Sequence, residues 1–216
     1  KVQDFSEVWN DHSASIISNS LLRYKSDIVT LFKDLFDSKQ WKPWILDDFC
    51  KHHEIRIQNL IRSSLGLLIN SVNLKSWYLA EFENEVQKKN FKVSSVYYSH
   101  LDRSIITEKN SFSLCHRWKS FQLIEQLSNE SSRRDVRDEV LIDAAILEFP
   151  EHKILEISIA QVHPLMRNQI NSISLGINLT AEQKKSISFL DDPKIKSIKV
   201  GTCCEKCGII SCEQRV

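Results

Sequence analysis

The hydrophobic period of this chain turns from helical to alternating near residue 90, and that change limits the fold more than any other feature. Before it, Ile16, Ile17, Leu21 and Leu22, then Ile28, Leu31, Phe32 and Leu35, recur mostly at three- and four-residue steps, which builds amphipathic helices. Beyond it, stretches such as Phe91 to Tyr98 are strand-like, and Ile173, Leu175, Ile177 and Leu179 alternate strictly. The chain therefore divides into a helical lobe over residues 1–89 and a second domain over residues 90–216.

In the helical lobe, Leu46 to His53 and Ile57 to Leu68 form two short helices across a tight turn, resembling a helix-turn-helix. Arg56, Gln58, Asn59 and Arg62 give the second helix too little positive charge for a DNA reader, so a structural pair is expected. A further helix is expected from Lys75 to Lys88, Trp41 and Trp44 as packing between helices, and Cys50 as a buried thiol.

The second domain offers strands over 91–98, 105–112, 136–149, 153–162 and 169–179. Between the second and third lies a helix with Leu114, Trp118, Phe121, Ile124 and Leu127 on one face and Cys115 at its start. A last helix is expected from Ala181 to Leu190, capped by Thr180. Short connections favour antiparallel neighbours, so the fold class is α+β, with a five-stranded antiparallel sheet and helices on a face. The order is similar to that of small-molecule sensor domains of the PAS and GAF kind.

Charge excludes several functions. The 29 basic and 28 acidic residues cancel, leaving no global field to draw the chain to nucleic acid or membrane. No apolar run approaches the roughly 18 residues that a membrane span needs, and the opening residues are too polar for a signal peptide. A soluble cytoplasmic protein is expected. Residue 1 is Lys, so the chain reads as a piece of something longer. There is no Gly-x-Ser-x-Gly elbow, phosphate loop, dinucleotide fingerprint or His-Glu-x-x-His, and no enzyme is expected.

Four of the six cysteines, Cys203, Cys204, Cys207 and Cys212, fall in the last sixteen residues. Thiols in the reducing cytosol serve as metal ligands or core residues rather than disulfides. Cys204, Cys207 and Cys212 stand as C-x2-C-x4-C, a thiolate cluster suited to a soft metal centre with one position left over. Cys115 is the candidate for that position. Cys203 adjoins Cys204 in an extended segment and should face away. The spacing suits zinc and an iron-sulfur cluster about equally.

These residues resemble the C-terminal region of the short-chain fatty acyl-CoA regulators, transcription factors with an amino-terminal helix-turn-helix of the Xre type. That family ends in Gly-x-x-Cys-x-x-Cys-x-x-x-x-Cys-x-Gln-Arg, matched by Gly201, Cys204, Cys207, Cys212, Gln214 and Arg215. Cys115, Trp118 and Phe121 match a second signature, Leu175-Gly176 a third, and Asp102 and Leu46 to Leu68 further positions. Glu213 stands where the family has Pro, and the family's central Asp-Gly turn is replaced by the polar stretch Ser128 to Asp138. The resemblance covers roughly residues 45–216. It implies a sensor that binds an acyl-CoA effector and holds a four-iron four-sulfur cluster on Cys115, Cys204, Cys207 and Cys212. It also implies DNA binding through a domain outside this chain, and a homodimer is expected. Arg133, Arg134, Arg137, Lys184 and Lys185 are the cations available for acyl-CoA phosphates. The alternative is a zinc-stapled structural or interaction module with no effector.

Overall fold

A computed structural model of the chain describes residues 2–4, 23–62, 64, 76–85, 92–99, 115–131, 135–136, 138–163, 166, 168–201, 207–210 and 212. Helix α1 (Lys25–Asp37) buries Ile28, Leu31, Phe32, Leu35 and Phe36, the stripe that its period requires. Helix α2 (Trp44–His52) buries Leu46 and Cys50. Just beyond its end, Glu54 takes a positive φ of 53° and turns the chain into a second helical stretch over 57–62.

Strands β1 (Val2–Asp4), β2 (Trp77–Glu85), β3 (Lys92–Ser99), β4 (Val140–Glu148), β5 (Lys153–Val162), β6 (Gln169–Asn178) and β7 (Lys196–Lys199) form one sheet in the order β1-β3-β2-β6-β5-β4-β7. The five central strands pair antiparallel, while β1 joins β3 and β7 joins β4 in parallel. The mixed α+β class is therefore as expected, but among the described residues the sheet has seven strands rather than five. The strand expected over 105–112 lies outside the described residues.

Two cores flank the sheet. On one face α1, α2 and the 57–62 stretch pack on Trp77, Leu79, Leu155, Ile157, Ile173, Leu175 and Ile177. On the other, helix α3 (Lys119–Ser131) packs Phe121, Ile124 and Leu127 on Tyr78, Ala80, Phe82, Ala160 and Ile170. The stripe that predicted α3 is thus the stripe that docks it. Among the described residues no helix is long and apolar enough to cross a membrane.

Two expected helices are different elements. Within the segment expected as a helix over 75–88, residues 77–85 are strand β2, which lies between β3 and β6 and buries Trp77, Tyr78, Leu79, Ala80 and Phe82. A strand buried on both faces reads as a continuous apolar run, which periodicity does not distinguish from a buried helix. The boundary drawn at 89 consequently falls between β2 and β3, two paired strands. The helix expected from 181 to 190 is two 3-10 turns, Gln183–Ser186 and Ser188–Asp191. Thr180 does cap the first, its Oγ1 accepting from the Gln183 amide at 3.2 Å. Extended Ile187 then breaks the run, and both Ile187 and Phe189 are buried in the α1–α2 core.

Trp41 is buried and packs its ring 5.1 Å from that of Phe189, whereas Trp44 is 50% exposed. Core packing therefore holds for the first tryptophan only. Burial, helped by the Asp47 carboxylate, pushes the Cys50 thiol up to about 12, so Cys50 is an inert core thiol. Arg62 is half-buried and reaches the sheet: its Nε and Nη2 bond both Glu81 carboxylate oxygens, at 2.6 and 2.8 Å. That fork fastens the second helix to β2, consistent with a structural helix pair.

Candidate metal and effector sites

Cys115 lies one turn ahead of α3 and is buried in the core beneath that helix. Its carbonyl accepts the Trp118 amide at 3.1 Å, closing the turn that opens α3. Trp118 is fully buried, with the rings of Tyr78, Phe82, Phe121 and Phe149 all 6.2 to 6.3 Å from its own. Its indole Nε1 donates to the Gly201 carbonyl at 3.2 Å.

This bond places the start of the cysteine tail. After β7 the Val200 amide donates to the Glu148 carbonyl at 3.1 Å, and the Val200 side chain enters the same core as Cys115. Gly201 then meets Trp118. Further on, Cys207 and Cys212 are half-buried and Ile210 between them is 90% exposed. Among the described residues, Cys50 and Cys212 form no disulfide. Cys203 and Cys204 lie outside the described residues, as do Gln214, Arg215 and Asp102. Among the described residues no group of three His, Cys, Asp or Glu comes together as a metal site. The cysteines of the tail and Cys115 offer thiol donors, which suit zinc or an iron-sulfur centre rather than a hard cation.

A second feature belongs to the α1–α2 side of the sheet. Lys39, Lys184, Lys185 and Lys194 line an open groove of about 740 Å³ together with Gln40, Ser188 and Pro193. Asp191 and Asp192 are its acids. The Asp192 carboxylate accepts from the backbone amides of Trp41 at 2.7 Å and Lys194 at 2.8 Å. The Lys194 and Trp41 amides hold that carboxyl below the usual range. Asp192 is thereby a fastener between the α1–α2 connector and the segment before β7, and the lysines dominate the groove. Lys194 Nζ also stands 6.0 Å from the exposed Trp44 ring. Of the cations named from sequence, Lys184 and Lys185 line this groove, and Arg133, Arg134 and Arg137 lie outside the described residues.

A third cluster was not singled out from sequence. Tyr78, Gly176, Glu156 and Ala145 form one lateral row across β2, β6, β5 and β4, on the face under α3. Gly176 has no alternative there, because a Cβ would fall 2.0 Å from Tyr78 Cε1. The Tyr78 ring lies across the glycine and brings its phenol to Glu156, which is fully buried. Glu156 Oε2 accepts from the Lys119 amide at 2.9 Å. The signal in the sequence was one carboxylate within Lys153 to Val162, a strand otherwise buried almost throughout.

No family model, no curated protein and no solved structure matches this chain.

Proposed function

We propose that this chain is the effector-binding and redox-sensing part of a bacterial transcription regulator, with Cys115, Cys204, Cys207 and Cys212 as ligands of a four-iron four-sulfur cluster. The observation that carries the reading is the Trp118–Gly201 bond, which brings the root of the cysteine tail to the turn bearing Cys115. Only three residue steps separate Gly201 from Cys204, a reach of at most about 11 Å. Such a cluster supplies one-electron redox chemistry when bound. Trp118 positions the tail, and the core around Cys115 keeps water from its thiol. Loss of the ligands' partner would untie Gly201 to Val216 from α3, which makes the tail the element that changes.

The sheet order supports a sensor of the PAS and GAF kind: a hairpin, β2 and β3, then a helix, then a three-strand meander whose last strand returns beside β2. The acyl-CoA phosphates are assigned to the lysine groove, on the opposite side of the sheet from Cys115. DNA contact belongs to a domain outside this chain, and pairing is with a second copy. Iron, sulfide and zinc analysis of anaerobically purified protein tests the metal. Iron and sulfide in equal amounts with a brown colour are expected; one zinc per colourless chain supports the stapled module instead, and neither metal sinks both.

A further inference from the structure

We propose that Glu156 is a proton-binding site of this protein: its carboxyl is neutral in the folded chain, and ionising it loosens the first turn of α3 together with the Trp118 link to Gly201. This goes beyond the metal reading and does not depend on it.

Among the described residues, the surroundings of Glu156 hold no counter-charge. From β2 it faces the Tyr78 phenol; from β6, Ser174 and Gly176; from its own strand, Ser158; from α3, Ser120 and the Lys119 amide. The Lys119 ammonium is engaged elsewhere, with Asp143 of β4 at 2.9 Å. Asp143 is itself an acid and pairs in register with Ser158. Lys196 of β7 sits in register beyond Ala145, but it is exposed at the sheet edge. A fully buried carboxylate with no cation beside it is costly, because the Lys119 amide and the neighbouring hydroxyls restore only part of the hydration that burial removes. Burial accordingly raises the Glu156 carboxyl above the usual range, against the lowering pull of the Lys119 amide and the serine hydroxyls.

The hydroxyls nearby do not replace a cation. Those of Ser158 and Ser174 bond each other at 2.7 Å, which uses one of their two protons. Glu156 Oε1, Tyr78 Oη and Ser120 Oγ are all buried and make no well-formed hydrogen bond. Tyr78 and Ser120 each carry a hydroxyl that can donate or accept, so these groups can serve either form of the carboxyl, and it is burial without a cation that favours the neutral one. The other carboxyl oxygen holds the amide of Lys119, the residue after Trp118. Rearrangement of the carboxyl on ionisation acts first on that amide, and so on the turn that carries Trp118.

The sign of the pH effect follows from linkage. As pH rises past the ordinary glutamate value, the unfolded chain releases its proton while the folded chain keeps Glu156 protonated, so stability falls until the folded carboxyl also ionises. The test is a carbon NMR titration of the intact chain labelled at the glutamate carboxyls. One resonance that stays protonated well above the ordinary glutamate range, and is missing in Glu156→Gln, is expected. The unfolding constant of the wild type should rise by up to about tenfold per pH unit within that window, with the slope gone in Glu156→Gln. The Trp118 indole N–H resonance should shift with the same midpoint. Glutamates that all titrate in the ordinary range overturn the proposal, and the wild-type titration decides this even if Glu156→Gln does not fold. An indole signal that ignores the Glu156 titration overturns the coupling. Neither reading uses metal content, so absence of a cluster leaves the result intact.

Discussion

The indole N–H of Trp118 donates to the carbonyl of Gly201 across 3.2 Å, joining residues 83 apart in sequence. It ties the turn that opens α3 to the segment that follows β7, and everything proposed for the cysteine tail depends on that tie. Trp118→Phe keeps an aromatic ring while removing the donor. A loss of about 1 kcal/mol in stability is expected from denaturant unfolding, along with faster loss of bound metal to a chelator. Unchanged metal retention would show that the bond plays no part in holding the tail.

The cysteines separate by substitution. Cys115→Ser, Cys204→Ser, Cys207→Ser and Cys212→Ser should each lower metal per chain, whereas Cys203→Ser should leave it unchanged. Metal analysis of the five proteins checks this, and a loss confined to the tail cysteines removes Cys115 from the ligand set.

Gly176→Ala places a methyl 2.0 Å from the Tyr78 ring. Overpacking of this kind costs about 1 to 3 kcal/mol. The same substitution in a Tyr78→Ala background should cost much less, because the clashing ring is gone. Equal costs in both backgrounds would place the strain elsewhere.

Charge reversal at Lys184 and Lys185 should weaken acyl-CoA binding by roughly tenfold, about 1.4 kcal/mol, and flatten its salt dependence. Calorimetry at two salt concentrations measures both. Undiminished binding would move the phosphates away from the groove.

Asp192 gives a pH effect opposite in sign to that of Glu156. Its carboxyl is held low by the Lys194 and Trp41 amides, so its stabilising contribution is present above the unfolded aspartate value and is lost as pH falls through the folded one. Asp192→Asn should lower stability near neutral pH and remove that acid-side loss, measured by thermal unfolding across the range.

Much of the fold was legible because one-sided burial leaves a period. The stripes of α1 and α3 follow from the spacing of Ile28 to Phe36 and Phe121 to Leu127. β2 was not legible, since Trp77, Tyr78, Leu79 and Ala80 are buried on both faces and leave no alternation to read. The two 3-10 turns were missed because Ile187 and Phe189 both had to reach the core. Of the candidate sites, the thiols and lysines could be named by type, but Glu156 stood as one acid in an apolar strand.

The sequence alone determined which groups are available: the cysteine spacing, the helical stripes of α1 and α3, and a mixed α+β class, all of which are local properties of the chain. Only the tertiary structure decided which distant groups meet. Gly201 at Trp118, Lys39 beside Lys184 and Lys185, and Tyr78 lying over Gly176 to reach Glu156 are set by strand order and register, which no local spacing encodes.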